Sequence, residues 1–253
     1  KRAPMTSRVL VVGESWNTFA QHTKGLAAYT TSGYEEGAEQ LLRVLGEAGH
    51  QVDYMPNHVA VEGFPYEVEA LREKYDVIVL SDAPADSFLL PHAVFVKGER
   101  RPNRLAVIGE FVHQGGGLLM IGGYMSFSGF EGRGRFSLTP LAEVLPVDML
   151  VHDDRIEAPE GVVPKPVADH AVLDGVGEQW PYFLGYNRFG AKTGATTLME
   201  VGGDPFLVVG EHGAGRTAAF ASDCSPHWGS PEFMAWDDYA PFWSQLVGWV
   251  GGA

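Results

Sequence analysis

The chain reads Leu118-Leu119-Met120-Ile121-Gly122-Gly123-Tyr124-Met125-Ser126, an unbroken apolar run that passes directly into a glycine-rich turn. Three further runs have the same character: Val9-Leu10-Val11-Val12, Val77-Ile78-Val79-Leu80 and Ala218-Ala219-Phe220-Ala221. Short apolar runs without polar alternation are typical of strands that are covered on both faces, as in a parallel sheet. The runs therefore predict the buried strands of an α/β protein.

Segments with helical spacing lie between these runs. Apolar residues in 34–49 and 102–115 fall on one stripe of a helix, and those in the closing segment 239–250 do the same. A short strand is predicted at 51–55, before a helix at 65–74. Alternating strands and helices with right-handed crossovers build a three-layer, doubly wound, flavodoxin-like sheet that is mostly parallel.

The pattern changes after Thr139, where proline, aspartate and valine become frequent. Segments 195–201, 204–210 and 215–221 read as successive strands that are separated by glycine-containing turns. We therefore predict an antiparallel extension of the same sheet. Because no repeat or low-complexity linker interrupts the pattern, residues 1–253 are expected to form a single domain.

Charge and cysteine content limit the partners and the compartment. The chain has 18 basic and 32 acidic residues and a formal net charge of -14, so neither a nucleic acid nor an anionic membrane is expected as a partner. The sequence has no apolar run of membrane-spanning length and starts without the apolar region of a secretory signal, which predicts a cytoplasmic protein. A single cysteine, Cys224, agrees with a reducing compartment.

Polar and aromatic residues follow each apolar run, at the edge where open α/β sheets bind their ligands. The candidates after the four runs are Glu14, Ser15 and Trp16; Asp82; Gly122, Gly123, Tyr124 and Ser126; and Asp223, Cys224, His227 and Trp228. Together they predict a site for a small-molecule ligand at this edge, although each residue alone is as easily explained by packing or solvation.

The segment between Glu14 and Tyr34 has no clear periodicity, and it predicts a long loop of the kind that often forms a lid. This loop would bring His22 and Lys24 to the site. In a catalytic site, Glu14 or His227 would act as general acid or base, with Asp223 paired to His227. Lys24 and the backbone N–H groups of the Gly122-Gly123 turn would stabilise negative charge.

The Gly122-Gly123-Tyr124-Met125-Ser126 turn, which follows the apolar run at 118–121, is where an α/β hydrolase or amidotransferase holds its nucleophile. Tyr124 is a poor acyl acceptor there because a phenol has a pKa near 10. Ser126 is the nearest alternative nucleophile, and Cys224 is either a displaced thiol nucleophile or a small buried apolar residue. His152, Asp153 and Asp154 could ligate a metal but are more typical of a solvated turn, so no metal and no cofactor are proposed.

The motifs together resemble a bacterial family of putative glutamine amidotransferases that is related to the ThuA-like proteins. The matching segments are 13–16 with His22 and 24–25, 80–82, 102–105, 122–127, 153–155, 184–187 and 222–228. The resemblance implies the class I glutamine amidotransferase-like fold. True members of that class carry Gly-x-Cys-x-Gly at the turn, where this chain has Tyr124 at the cysteine position and Ser126 at the second glycine. His227 is the candidate counterpart of the class's histidine.

Three functional hypotheses follow from the residues and the resemblance. The first is an amidotransferase-like protein that lacks the usual cysteine and binds or transforms a small polar molecule, a sugar or an amide, as a hydrolase or an isomerase would. The second is a non-catalytic ligand-binding or oligomeric assembly domain. The third is a glutaminase that uses Cys224. In each of them we expect a homo-oligomer.

Overall fold

The structure of the protein, a computed structural model, describes residues 6–252. The strands are β1 (Arg8–Gly13), β2 (Ser15–Lys24), β3 (Ala27–Glu36), β4 (Gln51–Met55), β5 (Val77–Ser81), β6 (Gly117–Ile121), β7 (Val147–Met149), β8 (Arg155–Val162), β9 (Lys165–Pro166), β10 (Phe183–Asn187), β11 (Phe189–Ala191), β12 (Thr196–Val201), β13 (Asp204–His212) and β14 (Gly215–Phe220). The helices are α1 (Glu39–Glu47), α2 (Asn57–Gly63), α3 (Val68–Lys74), α4 (Asp86–Leu89), α5 (His92–Phe95), α6 (Arg104–His113), α7 (Leu141–Val144), α8 (Pro231–Met234) and α9 (Tyr239–Val250).

Eight strands form the central sheet in the order β4-β1-β5-β6-β14-β13-β12-β9. Neighbouring strands from β4 to β14 are parallel, and those from β14 to β9 are antiparallel. Val79 of β5 lies level with Val11 of β1 and with Leu119 of β6, so the predicted apolar runs form one buried layer. The mostly parallel flavodoxin-like sheet with an antiparallel extension is thereby confirmed.

Helices cover the sheet, and α6 and α9 lie within the segments that the sequence predicts. Asn103 precedes α6, and its side-chain oxygen accepts hydrogen bonds from the N–H groups of Leu105 and Ala106, which caps the helix. The apolar stripe of α6 is buried, and so is that of α9. Helix α6 packs with α3 and α7, whereas α9 packs with α1, and both α6 and α9 contact β6 and β14.

The segment that was predicted to be a long loop is a β-hairpin, and that prediction was wrong. Strands β2 and β3 pair along their whole length, from Ser15 opposite Glu36 to Lys24 opposite Ala27. A two-residue turn closes the hairpin, and its first residue, Gly25, has a φ of 61°. Two-residue hairpin turns with glycine in that position match the twist of the strands. We refer to residues 15–36 as the hairpin arm.

Two helix predictions also need correction. The helix that was expected from Tyr34 begins at Glu39, because Tyr34 belongs to β3. The helix that was expected at 65–74 is a second, shorter one, Val68–Lys74, which follows α2. Within residues 6–252, no helix is both long and apolar enough to cross a membrane.

Candidate active site

A cavity of about 350 Å³ opens at the carboxyl ends of the parallel strands. It is lined by Glu14, Trp16, Asp82, Tyr124, Asp223, Ser225, Pro226 and His227. Three of these residues have positive backbone φ angles, at 47° for Glu14, 44° for Asp82 and 135° for His227. Non-glycine residues adopt such angles at an energetic cost, and the conformations cluster at functional sites. The strained backbone of these three residues therefore supports the cavity as a candidate functional site.

Glu14 is buried at the floor of the cavity. The Ser81 hydroxyl lies 2.5 Å from Glu14 Oε2, and the Ser225 hydroxyl lies 2.8 Å from Glu14 Oε1. Burial raises the pKa of Glu14 well above its usual range, and the carboxylates of Asp223 and Asp82 raise it further, although the two hydroxyl groups oppose the shift. Glu14 therefore keeps its proton to a higher pH than an exposed glutamate does.

Ser225 connects Glu14 to Asp223. Its Oγ lies 2.8 Å from Glu14 Oε1 and 3.1 Å from Asp223 Oδ1. A hydroxyl has one proton to donate, so both contacts are hydrogen bonds only if one carboxyl group is protonated. The Ser225 hydroxyl is positioned to donate to either carboxyl group, and the raised pKa of Glu14 makes Glu14 the one that holds a proton more readily. The three side chains thus form a continuous hydrogen-bonded chain.

Asp223 faces His227 at the other end of this chain. The Nδ1 atom of His227 lies 3.8 Å from Asp223 Oδ2, an ion-pair distance that is too long for a direct hydrogen bond. The Asp223 carboxylate raises the pKa of His227, against the opposing effect of partial burial. The imidazole is half-exposed and meets the Tyr124 ring edge to face, with 4.5 Å between ring centroids.

Asp82 is the third carboxyl group at the cavity. Burial, and then the nearby Asp223 carboxylate, raise its pKa to about 6, although Asp82 Oδ1 accepts a hydrogen bond of 2.7 Å from the Met125 N–H group. A carboxyl group with such a pKa exists in both protonation states near neutral pH. It can therefore serve as an acid or as a base.

Glu157 of β8 holds the aromatic wall of the cavity in place. Its carboxylate accepts hydrogen bonds from the Tyr124 hydroxyl at 2.9 Å and from the Trp228 indole at 3.0 Å. The guanidinium of Arg155 lies 4.5 Å from the Tyr124 ring centroid. Partial burial and Glu157 raise the pKa of Tyr124, which makes its phenol a still weaker nucleophile. Tyr124 is therefore a wall of the cavity.

Comparison with known proteins assigns the chain to a family. The family model described as putative glutamine amidotransferase matches residues 8–252. The chain belongs to this family. Two cytoplasmic proteins from Salmonella typhimurium are similar in structure, STM3548 at 45% identity with a TM-score of 0.93 and STM1381 of strain LT2 at 46% with 0.92. In both cases the match covers 96% of this chain and 98% of the other.

Other comparisons support the fold only. A ThuA-like protein from Parabacteroides merdae ATCC 43184 has 13% identity and a TM-score of 0.54, and the match covers 97% of this chain and 90% of the other. No curated protein matches the chain significantly. The class I glutamine amidotransferase-like fold, with a ThuA-like protein among its structural neighbours, is confirmed.

Glycines shape the turn at which amidotransferases carry their cysteine. A Cβ atom on Gly122 would lie 2.3 Å from the Ala221 carbonyl oxygen, and one on Gly123 would lie 2.8 Å from Asp82 Oδ1. The Gly123 N–H group donates to Asn187 Oδ1 at 2.9 Å. The Gly123 N–H group is therefore already bound. The absence of a side chain at Gly123 lets the Asp82 carboxyl group approach the backbone of the turn.

The hydroxyl of Ser126, which was predicted as a catalytic residue, is bound to backbone groups on both sides in this geometry. Ser126 is buried, and its hydroxyl donates to the Ile121 carbonyl at 2.5 Å while accepting from the Asp82 N–H group at 3.1 Å. Its contacts fix the strained backbone of Asp82. Ser126 is therefore a positioning residue.

The hairpin arm carries His22 and Lys24 away from the cavity, so their prediction as site residues is not supported. Lys24 stands beside the turn at the far end of the arm, roughly 30 Å along the strand from Ser15 at 3.3 Å per residue. His22 stacks on Tyr29 and lies 3.0 Å from Thr31 Oγ1, within the arm.

Two further residues that were predicted to bind ligand are buried behind the cavity. Ser15 is engaged with Asn57, whose N–H group donates to the serine hydroxyl at 2.8 Å. Trp228 is 1% exposed and supports the wall through Glu157. Trp16, at the base of the arm, lines the cavity.

Cys224 lies beneath the cavity instead of facing it. Its sulfur is 3.5 Å from the Ser81 hydroxyl and 3.9 Å from Glu14 Oε2. Burial, followed by Glu14 and Asp223, raises the pKa of the thiol well above its usual range. Ligand atoms of Glu14, Asp223 and Cys224 lie within 4.8 Å of one another, but the thiol would have to lose its proton to bind a metal. Burial opposes that ionisation.

Sequence reasoning missed Glu157, Ser81 and the linking role of Ser225. Ser81 and Ser225 belong to segments that were noted in the sequence, but their positions do not predict that both hydroxyl groups bind the carboxyl group of Glu14. Glu157 lies in β8, which pairs with β10 in a separate two-stranded sheet. Only the tertiary arrangement brings it to the wall.

Proposed function

We propose that the cavity binds a small, uncharged, hydroxyl-rich or amide-bearing molecule and transforms it by general acid-base catalysis. The observation that carries the proposal is the pairing of Asp82, with a pKa of about 6, and His227, with a raised pKa, at one cavity. Two groups that exchange protons near neutral pH can remove a proton from one substrate atom and deliver one to another.

The charges and the aromatic groups around the cavity favour this substrate class. Three carboxyl groups, Glu14, Asp82 and Asp223, disfavour an anionic ligand, whereas carboxylates readily accept hydrogen bonds from hydroxyl groups. Trp16 and Tyr124 offer ring surfaces for the apolar side of a sugar ring. A volume of about 350 Å³ suits a small ligand.

The same geometry opposes an acyl-enzyme route. Tyr124 is tied to Glu157, Ser126 is tied to a backbone carbonyl, and Cys224 is a buried, protonated thiol. Acid-base chemistry, as in an isomerase or a water-dependent hydrolase, needs no side-chain nucleophile. We therefore favour it over a glutaminase that uses Cys224.

In the proposed reaction, His227 and Asp82 touch the substrate. Asp223 orients the imidazole and stabilises its charged form, while Glu14 and Ser225 hold Asp223. We further propose that the protein acts in the cytoplasm, because both Salmonella typhimurium relatives are cytoplasmic proteins.

Ligand-observed NMR tests the binding half of the proposal. We expect saturation transfer to at least one member of a panel of aldoses, ketoses, methyl glycosides and polyhydroxy amides. Trp16→Ala should weaken that binding about tenfold, because loss of an aromatic contact costs about 1 kcal/mol or slightly more.

Phe95→Ala is the matched control, since Phe95 is an exposed aromatic residue outside the cavity. It should bind the same ligand as tightly as the wild type does. Binding that is insensitive to Trp16→Ala, or a panel without any ligand, would contradict the proposed site.

A further inference from the structure

The hairpin arm has no packing partner within the described chain over most of its length. Strands β2 and β3 pair only with each other. From Trp16 to Glu36 every residue except Ala20 is exposed. Ten residues in each strand give an arm of roughly 30 Å. A solitary two-stranded hairpin is marginally stable in water, so an arm of this length gains from a partner.

The arm has the composition of a covered surface. In the whole chain 20% of residues are charged, but between Ser15 and Tyr34 the only such residue is Lys24. Phe19 is 75% exposed, and Tyr29 and Tyr34 are close to half-exposed. Clusters of exposed aromatic residues with few charges mark interaction sites.

The two edges of the arm are also unprotected. Proteins usually guard exposed strand edges with charged side chains, proline or bulges. The pairing of β2 with β3 is regular from end to end, and the sequence between Trp16 and Tyr34 contains no proline. Both outer edges of the arm can therefore accept another strand.

The charge distribution favours a second copy of this chain as the partner of the arm. With a net charge of -14, two copies of this chain repel each other wherever their acidic surfaces meet. The arm contains no acidic residue between Ser15 and Tyr34, so it offers a surface on which two copies can meet without opposing carboxylates. A nucleic acid or an anionic membrane would instead require several basic residues.

We propose that the hairpin arm of each copy is covered by a second copy of this chain in a two-fold symmetric dimer. The arm supplies about 20 exposed residues, comparable to the 20–30 residues per side of a standard interface. Trp16 belongs both to the arm and to the cavity lining, so association also fixes one wall of the candidate site.

Mass measurement by light scattering after size exclusion tests this directly. The wild type is expected to elute as a dimer, and Phe19→Glu combined with Tyr29→Glu is expected to raise the dimer dissociation constant about 100-fold or more. The reason is that the substitutions would bury four carboxylates in the interface of a dimer whose chains already carry a net charge of -14 each. Phe95→Glu, at an equally exposed phenylalanine outside the arm, should remain dimeric.

Disulfide cross-linking provides an independent readout. Cys224 is the only cysteine and is buried, so a cysteine at Gln21 would be the single accessible thiol. Gln21→Cys should give a covalent dimer on mild oxidation, whereas Phe95→Cys should not. A monomeric wild type, a dimer that persists in the double glutamate variant, or equal cross-linking at both positions would overturn the proposal.

Discussion

Asp82→Asn and His227→Gln each lower turnover of the cavity's substrate by about two to four orders of magnitude, the usual contribution of a general acid or base. Each substitution keeps the shape of the side chain and removes its ability to exchange a proton near neutral pH. The rates are measured by proton NMR in D2O on the sugar and amide panel. This readout detects both exchange of carbon-bound protons and hydrolysis.

Asp86→Asn is the matched control for these variants. It neutralises a nearby carboxylate that pairs with Arg135 at the surface and lies outside the cavity. Its rate should equal that of the wild type. If Asp82→Asn and His227→Gln bind the ligand and turn it over as fast as the wild type does, neither group performs the chemistry. If the wild type binds a ligand but transforms none of the panel, the non-catalytic binding hypothesis gains support.

Glu14→Gln should change how stability depends on pH. The pKa of Glu14 is raised in the folded protein, so the unfolded chain loses this proton first as the pH rises above its ordinary value of about 4.3. The free energy of unfolding of the wild type therefore falls with rising pH through the folded pKa. The neutral amide of Glu14→Gln keeps the contacts with Ser81 and Ser225. Because it does not titrate, its free energy of unfolding does not fall with pH for this reason.

Urea unfolding between about pH 5 and pH 9 measures the effect. The stability of Glu14→Gln relative to the wild type should increase as the pH rises above the ordinary pKa of a glutamate and should level off once the pH passes the raised pKa of the folded protein. Glu14→Leu is the contrasting variant, because it also lacks the titration but leaves the buried Ser81 hydroxyl without its carboxyl acceptor, so it should be less stable than Glu14→Gln by about 1–3 kcal/mol at every pH. A difference between Glu14→Gln and the wild type that does not vary with pH would show that Glu14 is ionised in the folded protein.

The central sheet could be predicted from sequence because its information is local. The inner parallel strands contain continuous apolar runs, as at Val77-Ile78-Val79-Leu80, and burial on both faces requires that pattern. The hairpin arm was missed because it lacks a local pattern of this kind. Its faces are exposed in the isolated chain, so no apolar alternation marks it. The useful signal was the Lys24-Gly25-Leu26-Ala27 turn between segments rich in threonine and tyrosine.

The candidate site was partly predictable from topology. Glu14, Asp82, Asp223 and His227 follow strand ends, and parallel strands bring their carboxyl ends to one edge. The sequence could not predict the contacts between residues that are far apart along the chain. Glu157 comes from a separate small sheet, and the shared contacts of Ser225 depend on distances that no spacing rule encodes.

The proposed chemistry requires a carboxyl group that gives and takes protons near neutral pH beside His227. Carbon-13 NMR of the aspartate side chains, with Asp82 assigned through Asp82→Asn, measures that property without any knowledge of the substrate. The Asp82 carboxyl should titrate with a pKa of about 6. A titration near 4, the ordinary value for an exposed aspartate, would contradict the assignment of Asp82 as the acid-base group.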